Sequence, residues 1–257
     1  MANDLPGKGV LITGASRGIG AATARRLAAR GMSIFIAGKD TDDRFIGVIA
    51  DCRRCAPSGS ATYAFGNYDL LEEGAAETMV EAAAAAIGRI DCLVNNAAIR
   101  IRQPFGAFSY AEFEQMVAIN LRGPLFASQA VLPYMRRQGG GRIVNVASQM
   151  GQIAEQGSTL YGITKAALIH LTKSMAFELS AENILVNAVS PGPTMTEYNQ
   201  ARTSADARLL AHKLSYIPAN RYAEPDEIAE VIEFLLATNA TFLQGHDLVV
   251  DGGYTIH

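Results

Sequence analysis

GVLITGASRGIG, Gly9 to Gly20, runs five largely apolar residues straight into a turn with glycines at 14, 18 and 20. GVLIT at 9 to 13 reads as a buried strand, and ATARRLAAR beyond the turn reads as a helix, which is the opening of a βαβ unit. Glycine lets the backbone turn tightly and approach a ligand. The helix N-terminus adds unpaired N–H groups and a positive dipole end that suit a pyrophosphate. The spacing is G-x-x-x-G-x-G, so the general dinucleotide fingerprint G-x-G-x-x-G is not strictly met. The reading rests on where the glycines lie, between a first strand and a first helix.

Outward from that turn the pattern repeats. SIFIA at 33 to 37, TYAFG, DCLVN, GRIVNVA, ILVNAVS and DLVVDG read as six further strands, separated by helical or Ala-rich stretches. Helices are expected near 41 to 56, over EEGAAETMVEAAAAAIG, as a pair over 109 to 138, from about 158 to 181, and as a capped helix over EPDEIAEVIEFLLA. Residues 192 to 223 read as an irregular or helical insertion. The expected fold is α/β, a doubly wound parallel sheet of about seven strands in a single domain over 1–257. The alanine run at 82 to 86 reflects helix propensity and close packing, and the mixed charges of 202 to 213 read as a solvated face.

Composition excludes several functions. The 257 residues are 49% hydrophobic and 18% charged with a formal net charge of -3, so there is no basic excess for nucleic acid. The first residues show no signal pattern, and no apolar run nears the roughly 20 residues of a membrane span. A soluble, cytoplasmic protein is expected. Cys52, Cys55 and Cys92 are an odd count that suits a reducing compartment. Cys52 and Cys55 form a C-x-x-C, but with no second Cys/His pair a four-ligand zinc site is not expected.

YGITK, Tyr161 to Lys165, places a phenol and an ammonium one helical turn apart on one face. A free tyrosine has a pKa of about 10, and a neighbouring lysine charge would favour the phenolate and bring the group toward neutral pH. Ser148 lies thirteen residues earlier at the end of the fifth strand, the edge where open parallel sheets bind ligands.

Gly14, Gly18 and Gly20 in TGASRGIG, Asp69 in NYDL, the NNAA of 95 to 98, Asn120 in AINLRGP, Ser148 in NVASQ, YGITK and the PGPT of 191 to 194 together resemble the short-chain dehydrogenase/reductase family, single-domain branch. The resemblance spans nearly the whole chain. It implies a Rossmann-type sheet binding a nicotinamide dinucleotide, and hydride transfer between a carbonyl and a secondary alcohol. It also implies that Asn120, Ser148, Tyr161 and Lys165 are catalytic, with Tyr161 as general acid/base, Ser148 donating to the substrate oxygen, and the Asn120 side chain holding a water toward Lys165. The turn residues Gly14, Ser16, Arg17, Gly18, Ile19 and Gly20, with Asn96, would hold the pyrophosphate end of the cofactor. Asp69 would bind the adenine, its alternative being a helix N-cap. Lys165 would also hold the nicotinamide ribose beside Tyr161, and Pro191, Gly192 and Thr194 would pass over the nicotinamide. The family usually has Asn-Asn-Ala-Gly where this chain has Ala98 in the last place.

Relatives that prefer NAD usually carry an acidic residue just after the second strand, where this chain has Gly38 followed by Lys39. Lys39 and Arg17 could hold a 2′-phosphate, so NADP(H) is expected over NAD(H), with Asp40 close enough to matter. The segment near 195–222 is expected to cover the substrate. Arg100 and Arg102 after the fourth strand would suit a carboxylate or phosphate at the substrate mouth, or be structural or at a subunit contact. Reduction of 3-oxoacyl groups on acyl carrier protein is an alternative that Arg136 and Arg137 could serve, although Glu182 lies where a basic residue is often found. A non-catalytic dinucleotide sensor is the alternative of another class. The family commonly forms tetramers, so a homotetramer acting on a small-molecule carbonyl or alcohol is expected.

Overall fold

A computed structural model of the protein describes residues 5–205 and 207–256, and the side chains of these apart from 202–205 and 207–209. The expectation for the first four residues, and most of the solvated-face expectation for 202 to 213, therefore lie outside the described side chains. Seven strands alternate with helices: β1 (Gly9–Thr13), α1 (Gly18–Ala29), β2 (Ser33–Gly38), α2 (Asp42–Cys55), β3 (Tyr63–Asn67), α3 (Ala75–Ile87) and β4 (Cys92–Asn95). Then come α4 (Tyr110–Val117), α5 (Gly123–Arg137), β5 (Gly141–Val146), α6 (Thr159–Leu179), β6 (Ile184–Pro191), α7 (Glu197–Ala205), α8 (Ala207–Leu214), α9 (Pro225–Ala237) and β7 (Asp247–Val250). All neighbouring strands pair in parallel in the order β3-β2-β1-β4-β5-β6-β7.

Side chains alternate along each strand, so each helical layer takes every second residue. Val10 and Ile12 join Leu27, Phe45 and Leu235 in the layer built from α1, α2 and α9. Leu11 faces the other way with Met79, Val131 and Leu179, the layer of α3, α5 and α6. A sheet covered on both faces needs strands that are apolar throughout, which is why β1 and β4 are buried along their whole length. Strand order reverses between β1 and β4, and at such a switch point the connecting loops part to leave a crevice beyond the strands' C-terminal ends.

The pair of helices expected over 109 to 138 is continuous. A π-helical stretch at Ala118–Arg122 joins α4 to α5, and it contains Asn120. Pro124 has no N–H, so it cannot give the carbonyl of Asn120 its ordinary i+4 bond. α4 begins with a capping box in which Ser109 and Glu112 bond each other's backbone N–H.

Candidate active site

A cleft of about 710 Å³ lies along that C-terminal edge, from Lys39 at one end to Tyr161 and Lys213 at the other. Its floor is the glycine turn. Gly14 has φ +64, and a Cβ there would stand 2.7 Å from the Cα of Ala97. A Cβ on Gly20 would stand 2.6 Å from both the Gly14 oxygen and the Asn96 amide. Asn96 Nδ2 donates to the carbonyls of Thr13 and Gly14 at 2.9 and 2.8 Å, and the Thr13 hydroxyl accepts from the N–H groups of Asn96 and Ala97, both at 3.0 Å. Asn96 is thus a strut beneath the turn. Gly18, Ile19 and Gly20 form the first turn of α1, with Arg17 at the N-cap; no side chain caps this end and no acidic residue lies in its first turn. An uncapped helix end opening on a cleft fits a pyrophosphate.

At one end of the cleft Lys39 donates to Asp69 at 2.6 Å, with the lysine side chain 68% exposed. The other oxygen of Asp69 accepts from Leu71 N at 3.0 Å in an Asx turn, and α3 begins only at Ala75, so Asp69 is not a helix cap. The hydrogen bond from Lys39 outweighs burial and holds the Asp69 carboxyl below its ordinary pKa. Asp40 turns toward the glycine turn, accepting from Ser16 Oγ and Thr41 N at 2.8 Å each. Burial alone would raise its pKa, but these bonds and Arg44 keep it low.

The other end gathers groups from three elements. Ser148 follows β5 and lines the cleft with Tyr161; its hydroxyl accepts from Met150 N at 3.2 Å and helps draw down the pKa of the Tyr161 phenol. Lys165 is 2% exposed, donates to the Val146 carbonyl at 2.7 Å and lies 5.7 Å from the centre of the Tyr161 ring. Burial lowers its pKa to about 7. Burial pushes the Tyr161 phenol above its ordinary value, and the opposing pulls come from Arg100 and the Ser148 hydroxyl. Lys165, so deeply buried, carries less charge near neutral pH than an exposed lysine, and Arg100 is the cation that pulls most on the phenol.

Asn120 is buried, but its amide is committed. Oδ1 accepts from Ile99 N at 2.9 Å, and Nδ2 donates to Ile99 O at 2.9 Å and Thr164 Oγ1 at 3.0 Å. The side chain therefore ties the loop after β4 to α6, with one acceptor position of Oδ1 left over. Pro191 ends β6, a Cβ on Gly192 would stand 2.6 Å from the Cα of Asp251, and the Thr194 hydroxyl donates to Gly192 O at 3.0 Å. Ala98 is exposed on the cleft wall, so its methyl is accommodated.

Thr13, beneath the cleft, and Gln149, Glu155 and Lys213, on its lining, are among the residues outside the sequence-derived set. Thr13 anchors the turn. Gln149 is 1% exposed, with both amide atoms lacking a partner among the described residues, and lies against Gly192. Glu155, between Ser148 and Tyr161 in the chain, accepts from Arg100, Arg102 and Lys213. Lys213 therefore reaches into the cleft, correcting the solvated-face expectation at that position. Burial would raise the Glu155 carboxyl, but Lys213 and Arg100 outweigh it and bring its pKa down to about 2. Only Thr13 had a local signal, its place at the end of β1. No group of three or more potential metal ligands occurs among the described residues, and Cys52 is buried while Cys55 is exposed. No helix of the described residues is long and apolar enough to cross a membrane.

A seven-stranded parallel sheet, an uncapped helix end at its switch point, and a serine, tyrosine and lysine converging beside it define a nicotinamide-dependent oxidoreductase site. The family profile described as enoyl-(acyl carrier protein) reductase matches residues 14–255. The chain is 35% identical over 252 residues to the 3-oxoacyl-[acyl-carrier-protein] reductase of Thermotoga maritima, covering 98% of this chain and 99% of the relative. It is 35% identical over 252 residues to D-threitol dehydrogenase of Mycolicibacterium smegmatis, covering 98% and 94%. Among solved structures, a 3-oxoacyl (acyl-carrier-protein) reductase of Agrobacterium tumefaciens with NADP bound superposes with a TM-score of 0.91 at 29% identity, covering 98% of this chain and 96% of that one. The protein belongs to the short-chain dehydrogenase/reductase family. It is an NAD(P)-dependent oxidoreductase that interconverts a carbonyl and a secondary alcohol by hydride transfer.

Proposed function

We propose that this oxidoreductase is a single catalytic domain in which Tyr161 moves the proton of a small-molecule carbonyl or alcohol, with Ser148 orienting the substrate oxygen. The observation that carries this is the gathering of Ser148, Tyr161 and Lys165 on one cleft, with the Lys165 ammonium 5.7 Å from the centre of the Tyr161 ring. A bound nicotinamide supplies or accepts the hydride. In reduction Tyr161 donates its proton to the carbonyl oxygen, and in oxidation it takes the proton of the alcohol. Lys165, with a pKa of about 7, can refill or drain Tyr161 at working pH. The Asn120 carbonyl, which Pro124 leaves without its i+4 donor, is the next acceptor for a water on that route. Gly14 to Gly20 hold the pyrophosphate, and Pro191, Gly192 and Thr194 flank the nicotinamide.

The cofactor reading is NADP(H). Gly38 offers no carboxylate, Lys39 stands exposed next to it, and the Asp40 carboxylate is engaged by Ser16 and Thr41. Relatives solved with NADP or NADPH agree with this. Turnover on acyl carrier protein is the weaker reading, because Arg136 is paired with Glu182 at 2.5 and 2.9 Å and Arg137 stacks on Tyr134. A sensor role is weaker still, because Tyr161 and Lys165 are both present and convergent. The three free cysteines suit work in the cytoplasm.

Turnover on a ketone panel, with parallel fluorescence titrations of NADPH and NADH, tests the proposal. Tyr161→Phe is expected to lose about 10³-fold in kcat, within the usual range for general acid/base catalysis, while binding NADPH within about 2-fold of the unmutated protein. NADPH is expected to bind at least about 10-fold more tightly than NADH, the scale of one charge-assisted contact. Retained turnover in Tyr161→Phe would overturn the mechanism, and equal nucleotide affinities would overturn the cofactor reading.

A further inference from the structure

Arg100 and Arg102 leave the end of β4, and Lys213 comes from α8 on the opposite side of the cleft. All three converge on Glu155, whose side chain is 13% exposed against 21% to 27% for the cations. Arg100 also donates to Ser158 Oγ at 2.6 Å, and Arg102 Nη2 reaches both Glu155 oxygens at 3.3 Å. One carboxylate is thus shared by three cations, so among the described residues the cluster carries two positive charges in excess. The Nε–H groups of Arg100 and Arg102 are both buried without an acceptor among the described residues. Unpaired buried donors on charged groups are costly unless a ligand completes them. The cluster stands at the chemical end of the cleft, with the Arg100 guanidinium 5.1 Å from the centre of the Tyr161 ring.

We propose that the substrate of this enzyme carries a carboxylate, received by Arg100, Arg102 and Lys213 while its carbonyl or alcohol faces Ser148 and Tyr161. The substrate class is therefore an oxo acid or hydroxy acid. The proposal rests on the reading of the Tyr161 end as the reaction centre. Arginine forks match the two coplanar oxygens of a carboxylate, and Glu155, held here through one Nη2 of each arginine, leaves the rest of both forks for a second carboxylate. Glu155 holds the cations in place between turnovers and surrenders part of its bonding when the substrate arrives.

Calorimetry on the protein saturated with NADP⁺ tests this without requiring turnover. The probes are hexanoate and benzoate, each against its neutral amide, with inorganic phosphate as a third ligand. Each carboxylate is expected to bind at least about 10-fold more tightly than its amide, the scale of one charge-assisted contact. Arg102→Gln is expected to erase that preference, Arg102→Lys to keep part of it, and Glu155→Gln to strengthen carboxylate binding. Equal binding of acid and amide by the unmutated protein, or a preference that survives Arg102→Gln, overturns the proposal. Phosphate binding more tightly than both carboxylates overturns the carboxylate assignment. Tyr161→Phe is expected to keep the carboxylate preference, so a failure of the Tyr161 chemistry and a failure of the anion site give different results.

Discussion

Lys165 lies in a low-dielectric site where its charge is disfavoured, so its protonation couples to folding. Its pKa falls from 10.5 to about 7 on folding. Between those values the unfolded chain binds a proton that the folded chain does not, and stability therefore rises with pH across that window. The contribution is complete above 10.5 and lost as pH falls through about 7. Denaturant midpoints without nucleotide should show the unmutated protein gaining on Lys165→Met from pH 7 to pH 9.5, by at most about 1.4 kcal/mol per pH unit. A gap that does not change with pH would mean that the lysine titrates normally. Tyr161, Lys165 and Ser148 were legible in the sequence because one helical turn and one strand end place them. The source of the pull on the phenol was not legible. Arg100 reaches Tyr161 from sixty-one positions away, and only the closed fold shows that it lies over the ring.

Element positions followed from apolar runs and alanine-rich stretches, because strands buried on both faces leave a strong signal. The π-helical stretch did not, since one extra residue per turn over Ala118–Arg122 leaves no periodicity to read. The segment 192 to 223 was read only as irregular or helical. Among its described ties, α7 is held through Glu197 to Arg44 at 2.9 Å and α8 through Lys213 to Glu155. Lys213→Ala should therefore raise amide hydrogen exchange in α8 by about 10-fold, a loss of roughly 1.4 kcal/mol against opening, with little change in α7. Equal protection in the two proteins would mean that the Glu155 contact does not hold α8.

At the scale of the whole molecule, large apolar side chains stand in solvent away from the cleft. Phe177 on α6 is 88% exposed, and Phe242 before β7 is fully exposed. Exposed apolar groups on a long helix and beside an edge strand suit contact between subunits, and the proposed assembly is a homotetramer. Light scattering should give four times the chain mass, and Phe177→Glu should lower it; a monomeric mass would refute the assembly. The parallel sheet and its nucleotide edge were readable in one chain because each strand and the glycine turn leave a local signal; the strand order came from the structure. The substrate end was not, because Arg100, Glu155 and Lys213 come from three separate segments whose meeting depends on the closed cleft. Glu155 makes that end an ion exchanger. An acid entering there replaces a resident carboxylate as well as water, so its affinity is the difference between two ion pairs. A neutral ligand has nothing to exchange and leaves the pairing of Glu155 with Lys213 as it stands.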